Sequence, residues 1–94
     1  MKEFIRIDTD GSYTTFDGST LKALQDAVGG LITSAPVMPG GYIPRNTTVY
    51  ANDEGLMRGM DSNHTATRIC NYPLVGPVAI RKTKAVVRCL ELDD

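Results

Sequence analysis

The chain has 94 residues, of which 41% are apolar and 22% charged, with a formal net charge of −1. That length suits one domain with one modest core, and no run approaches the roughly 18–20 apolar residues of a membrane span. The start, Met1-Lys2-Glu3-Phe4-Ile5-Arg6, lacks a signal-peptide core, and the near-neutral balance argues against general nucleic-acid binding, so a cytoplasmic protein is expected, in the host's cytoplasm if it is viral.

Glu3-Phe4-Ile5-Arg6-Ile7 reads as a first strand and Tyr13-Thr14-Thr15-Phe16 as a second. Between them Asp10-Gly11 supplies the turn of a hairpin. Asp8-Thr9-Asp10-Gly11 is not a calcium loop. Such a loop needs Gly at its sixth position and Glu at its twelfth, where this chain has Tyr13 and Ser19.

The next segment carries a start signal, a helical stripe and a stop signal together. Ser19 or Thr20 can cap a helix. Leu21, Leu24, Ala27, Val28 and Leu31 share one face, and Gly29-Gly30 permits a left-handed exit. One main helix over about residues 19–29 is therefore expected to cover a small sheet.

Leu31-Ile32-Thr33 restarts an extended run. Residues 34–44 contain three prolines and two glycines, which exclude a helix. A long loop is expected there, with a short strand piece at Tyr42-Ile43. Thr47-Thr48-Val49-Tyr50-Ala51 reads as a strand, Asn52-Asp53-Glu54-Gly55 as a turn, and Leu56-Met57 as a return to the core. Asn63 can cap a second, short helix over His64–Cys70. Residues 73–80 read as a strand in which Pro77 marks an edge or a bulge. Lys82-Thr83-Lys84 turns the chain into a last strand, Ala85–Leu90, and Glu91-Leu92-Asp93-Asp94 forms an acidic tail.

The expected fold is α+β: a mainly antiparallel sheet of five or six strands, the main helix, and the short helix at about 64–70. Its core should hold Ile5, Ile7, Leu21, Leu24, Val28, Leu31, Val49, Ile69, Val78, Ile80, Val87 and Leu90.

Catalytic groups are sparse. His64 is the only histidine, and no nucleophile motif accompanies it. Cys70 and Cys89 lack metal-ligand or redox spacing and read as reduced, mostly buried thiols. No cofactor or metal is expected, and the chain reads as non-enzymatic. Arg81, Lys82, Lys84 and Arg88 form a basic strip that suits an anion or protects a sheet edge from aggregation. The second use is preferred.

Polar groups at element ends are the better binding candidates. Leu24-Gln25-Asp26-Ala27-Val28-Gly29-Gly30, Tyr50-Ala51-Asn52-Asp53-Glu54-Gly55, Asn63 with Ala66-Thr67, and Val75-Gly76 with Ile80 follow in order. This order resembles a family of small phage- and plasmid-borne domains of unknown function, with the pattern LQ-x-x-VGG, Y-x-N-E-x-G, N-x-x-A-T and VG-x-x-x-I. The resemblance runs from about Leu21 to Ile80. Asp53 stands in the pattern's first acidic position, which keeps the charge and changes the reach.

The resemblance implies a small accessory protein of a phage or mobile element. Such proteins block host defences by sequestering a nucleotide signal or by binding a defence protein. The first expectation is a nucleotide-like small molecule held in a pocket, also one formed between subunits of a homo-oligomer. Gln25, Asn52, Glu54, Asn63 and Thr67 would hydrogen-bond it, and Arg45 or Arg68 would meet a phosphate. The second is an inhibitor that binds a host defence or regulatory protein through the Pro-Gly loop with Met38, Tyr42, Met57 and Met60. The third is a small hydrolase using Glu54 or His64. A deep polar pocket would favour the first, and a flat apolar patch the second.

Overall fold

A computed structural model describes residues 1–91, and the rest of the expected acidic tail lies outside the described residues. Five strands, β1 (Glu3–Ile7), β2 (Tyr13–Asp17), β3 (Ile32–Ser34), β4 (Val49–Asn52) and β5 (Val78–Arg81), form one sheet in the order β2-β1-β5-β4-β3. Every neighbouring pair is antiparallel. Three helices accompany it: α1 (Leu21–Val28), α2 (His64–Cys70) and α3 (Lys84–Glu91). The α+β class is as expected.

Alternation along the strands divides the sheet's two faces. On one face Phe4 and Ala79 pack against Leu24, Ala27 and Val28 of α1, flanked by Phe16, Ile32 and Tyr50. Phe4 lies 6.0 Å from both the Phe16 and Tyr50 rings, and the Arg81 guanidinium sits 5.7 Å from its centroid. On the other face Ile5, Ile7, Val49, Val78 and Ile80 pack against Ala66, Ile69 and Cys70 of α2 and Val86 and Leu90 of α3. Each fully buried Ile or Val contributes about 1.5–3 kcal/mol. The sheet is thus covered on both sides.

The local signals around β1, β2 and α1 act as read. Gly11 turns the β1–β2 hairpin at φ +88°. Thr20 caps α1, its hydroxyl accepting from the Ala23 N–H at 3.1 Å, and Gly29 ends the helix at φ +82°.

Other expectations are corrected. Residues 85–90 belong to a helix, not a last strand. The Thr83 hydroxyl accepts from the Val86 N–H at 3.2 Å, and Val86 and Leu90, four apart, are both buried. That helical spacing outweighs the β-branched composition. Pro77 precedes β5, the central strand of the sheet, so it marks neither an edge nor a bulge. The basic strip accordingly guards no sheet edge.

Leu21 and Leu31 are 59% and 56% exposed: Leu21 opens the first turn of α1, and Leu31 lies beyond the Gly29 stop. Val87 is half-buried against the core, while the other expected core residues are buried. Leu56 and Met57 do not return to the core and are 83% and 86% exposed.

The Pro-Gly segment forms no strand at Tyr42-Ile43. It closes the end of α2 instead: the Met38 and Tyr42 N–H groups donate to the Cys70 and Ile69 carbonyls at 2.9 and 2.8 Å. These are orphan acceptors of a helix C-terminus. Val37 and Ile43 drop into the core beside them. Gly41 is required there, since a Cβ would lie 2.8 Å from the Ile69 carbonyl oxygen.

Both cysteines are free thiols. Cys70 is fully buried, and desolvation pushes its pKa up to about 11. Cys89 is half-buried and lies 3.5 Å from the Tyr42 carbonyl. At pH 8 iodoacetamide should therefore label Cys89 in the native protein and spare Cys70 until the chain unfolds. Equal labelling rates in native protein, followed by mass spectrometry, would contradict this placement.

Candidate functional site

The asparagines singled out in the sequence are bonded into the fold. Asn52 ends β4 on the α1 side of the sheet. Its amide nitrogen donates to the Val28 carbonyl at 3.1 Å, and its amide oxygen accepts from the Glu54 N–H at 2.8 Å. The next turn completes the closure of α1. The Asp53 N–H donates to the Leu31 carbonyl at 2.8 Å, and Arg58 Nη1 donates to the Gly29 carbonyl at 3.1 Å. The Val-Gly-Gly segment and the Asn-Asp-Glu-Gly segment thus form one structural joint. Asn52→Ala should cost about 1–3 kcal/mol, because it leaves the Val28 acceptor and the turn unsatisfied. A thermal melt unchanged within about 2 °C would contradict this.

Asn63 is fully buried and uses every polar atom of its amide. Nδ2 donates to the Ile7 and Gly76 carbonyls, both at 2.9 Å, and Oδ1 accepts from the Ala66 N–H at 3.1 Å. It joins the end of β1, the start of α2 and the approach to β5. The Thr67 hydroxyl accepts from the Leu74 N–H at 2.9 Å and donates to the Leu74 carbonyl at 3.3 Å.

The remaining expected ligand residues are dispersed. Gln25 is half-buried on α1, where its carbonyl accepts from the Gly29 and Gly30 N–H groups at 2.9 and 3.0 Å. Glu54 is exposed in the turn after β4, Arg45 is exposed before β4, and Arg68 is exposed in the last turn of α2. Asn52 faces α1, whereas α2 packs on the opposite face. The seven residues do not share any of the grooves described below, one of which Asn52 borders. The side chains of Asn52, Asn63 and Thr67 serve joints between elements.

Open grooves mark the surface of the described residues. One of about 580 Å³ runs along α3, where Lys82, Lys84 and Arg88 stand with Glu3 and Glu91. Lys82 Nζ is 3.6 Å from the Glu3 carboxylate. The acidic neighbours offset the basic strip, so the groove is not a purely cationic anion site. A second, of about 440 Å³, runs between Thr14 and Phe16 of β2 and Ala23 and Ala27 of α1. Arg6 and Asp8, paired at 2.8 Å, close one end of it.

The third groove, of about 390 Å³, is lined by residues 33–35, by Ala51, Asn52 and Asp53 at the end of β4, and by residues 72–75 after α2. Leu56 and Met57 also line it. The turn that carries them is tied by backbone bonds from Gly55 to Asn52, Arg58 to Glu54, Gly59 to Leu56 and Met60 to Gly55, at 2.9–3.2 Å. Two large apolar side chains are therefore presented to solvent on a hydrogen-bonded turn. The sequence offers no signal for this, since Met60, at helical spacing from both, makes the pair look like part of an inward-facing stripe. Met57 is among the contact residues the sequence suggests, whereas Leu56 and Tyr72 are not. Met38 and Tyr42 are exposed, while Met60 packs near Gly76.

Among the described residues no group of three or more His, Cys, Asp or Glu could hold a metal ion, and no helix is long and apolar enough to cross a membrane. Fold and surface together define a small α+β domain whose motif residues serve its joints and whose apolar side chains rim an open groove. The chain belongs to the family described as a domain of unknown function, DUF3846, whose model matches residues 1–87. No curated protein and no solved structure matches it.

Proposed function

We propose that this domain is a non-catalytic binding protein that takes a segment of another protein into the groove beside Leu56 and Met57. The observation that carries the proposal is the pair itself, 83% and 86% exposed on a turn fixed by its own backbone bonds. The bonded turn spares the backbone ordering cost of binding, and burial of the two apolar side chains supplies the gain. The open groove suits an extended chain segment better than an enclosed small molecule. Asp53, Glu54 and Asp61 flank the pair, against Arg58 on the same stretch. The fitting partner segment is apolar with basic flanks.

The resemblance to phage- and plasmid-borne domains supports the setting: an accessory protein that binds a host defence or regulatory protein. Sequestration of a nucleotide-like molecule is the second reading. It comes second because Asn52, Asn63 and Thr67, three of its expected donors, already spend their side chains within the fold. Glu54 and His64 supply a hydrolase reading with residues but no assembled constellation.

The test compares capture from host lysate by the native protein and by a Leu56→Asp, Met57→Asp double variant. A basic partner held by the native protein and lost from the variant supports the reading. Equal capture by both would overturn it. So would a nucleotide-like mass released from the native protein on denaturation, with no protein captured.

A further inference from the structure

The two edges of the sheet differ. β3 offers an edge of three residues, Ile32–Ser34, and Pro36 follows closely. Short edges and nearby prolines discourage pairing. β2 offers five residues, Tyr13–Asp17, and holds a terminal place in the strand order. It contains no lysine and no proline, and Tyr13, Thr14, Thr15 and Asp17 are exposed.

The register shows which backbone groups are free. Glu3 pairs with Asp17, Ile5 with Thr15 and Ile7 with Tyr13. The Asp8 N–H donates to the Ser12 carbonyl at 2.9 Å, and the Gly18 N–H donates to the Lys2 carbonyl at 2.8 Å. Hydrogen-bonded pairs alternate along an antiparallel ladder. Ser12, Thr14, Phe16 and Gly18 therefore turn their backbone groups toward β1. Tyr13, Thr15 and Asp17 turn theirs outward, where no described strand meets them.

We infer that β2 pairs antiparallel with β2 of a second copy of this chain, about a two-fold axis through Thr15. The pairing is complementary at each position. Thr15 faces Thr15 of the second copy, and each N–H meets the other's carbonyl. Tyr13 faces Asp17, also as a hydrogen-bonded pair, so no carboxylate opposes a carboxylate. Thr14 faces Phe16 on the α1 side. Threonine pairs and aromatic–threonine pairs are favourable cross-strand neighbours.

The groove between β2 and α1 adds a second argument. Thr14, Phe16, Ala23 and Ala27 line it at this edge. In the two-fold register, Phe16 of one copy stands beside Thr14 of the other and covers the groove's open side. The Asp17 carboxylate leaves this arrangement undisturbed. It already accepts from the Lys2 N–H at 3.2 Å, the Ser19 N–H at 3.1 Å and the Ser19 hydroxyl. The product is one continuous sheet of ten strands across two copies, with the Leu56–Met57 groove of each copy at its far ends.

Sedimentation equilibrium of the native protein, with Thr15→Lys and Thr15→Pro variants, tests the inference. The native protein should sediment at twice the 10.2 kDa chain mass. Thr15→Lys places two ammonium groups face to face at the axis, and Thr15→Pro removes the central N–H. Each should raise the dimer dissociation constant by about a hundredfold or more. Salt should partly restore the Thr15→Lys dimer. Thr15 is exposed and its N–H points away from β1, so the Thr15→Lys monomer should keep the native circular dichroism spectrum even if the proline variant fails to fold. A native protein that is monomeric at about 0.5 mM overturns the inference. So does a dimer that both folded variants leave intact, which would place the contact elsewhere.

Discussion

Asn63→Ala should destabilise this domain by about 3–5 kcal/mol, a large share of the roughly 5–15 kcal/mol that holds a native domain together. The substitution removes a helix cap worth about 1 kcal/mol. It also strands the Ile7 and Gly76 carbonyls, both bonded to Asn63 at 2.9 Å. Each buried unsatisfied acceptor costs about 1–3 kcal/mol. The melting temperature should fall by about 15–30 °C. Asn63→Asp should be worse at neutral pH, because it turns a carboxylate toward the same two carbonyl oxygens. Burial would raise that carboxyl's folded pKa above its unfolded value. The native state then binds the extra proton, so stability falls as pH rises above about 4 and returns on acidification. A melt within about 3 °C of the native protein for Asn63→Ala would contradict the structural role.

The second large effect is on binding rather than folding. The Leu56→Asp, Met57→Asp variant should change stability by less than about 0.5–1 kcal/mol, since both side chains already stand in water. The same variant should weaken partner binding by about a hundredfold or more, as expected when central apolar anchors are lost. Asn63→Ala should show the reverse pattern: lower stability, with partner affinity retained by the folded fraction, since Asn63 lies outside the groove. Isothermal titration and thermal melts on the same samples separate the two effects. A loss of stability in the double variant that matches its loss of binding would remove the distinction.

Parts of this fold were legible because their signals are local. Thr20, the stripe through Leu24 and Val28, and Gly29 lie within ten residues and define α1. Asp10-Gly11 is enough for the hairpin. The α3 helix was hidden because Ala85-Val86-Val87 has strand composition, and only packing against a sheet already complete at β5 decides between the two. Leu21 and Leu31 misled because periodicity does not say where a helix leaves its sheet.

The candidate site was obscured for a different reason. Polar residues at element ends look alike whether they await a ligand or bond the backbone. Asn52 reaches Val28 across 24 positions, and Asn63 reaches Ile7 across 56. Nothing local reveals such partners. Exposure of Leu56 and Met57 was equally hidden, since an apolar pair after a turn reads as a return to the core until the path of the chain is known.

The most direct measurement is site-specific photocrosslinking from position 57 to the captured partner, with position 15 as the control. The proposed groove predicts a crosslink from position 57 into an apolar segment with basic flanks, and none to that partner from position 15. A partner that crosslinks at position 15 and not at position 57 would contradict the account and move the binding surface to the β2 edge.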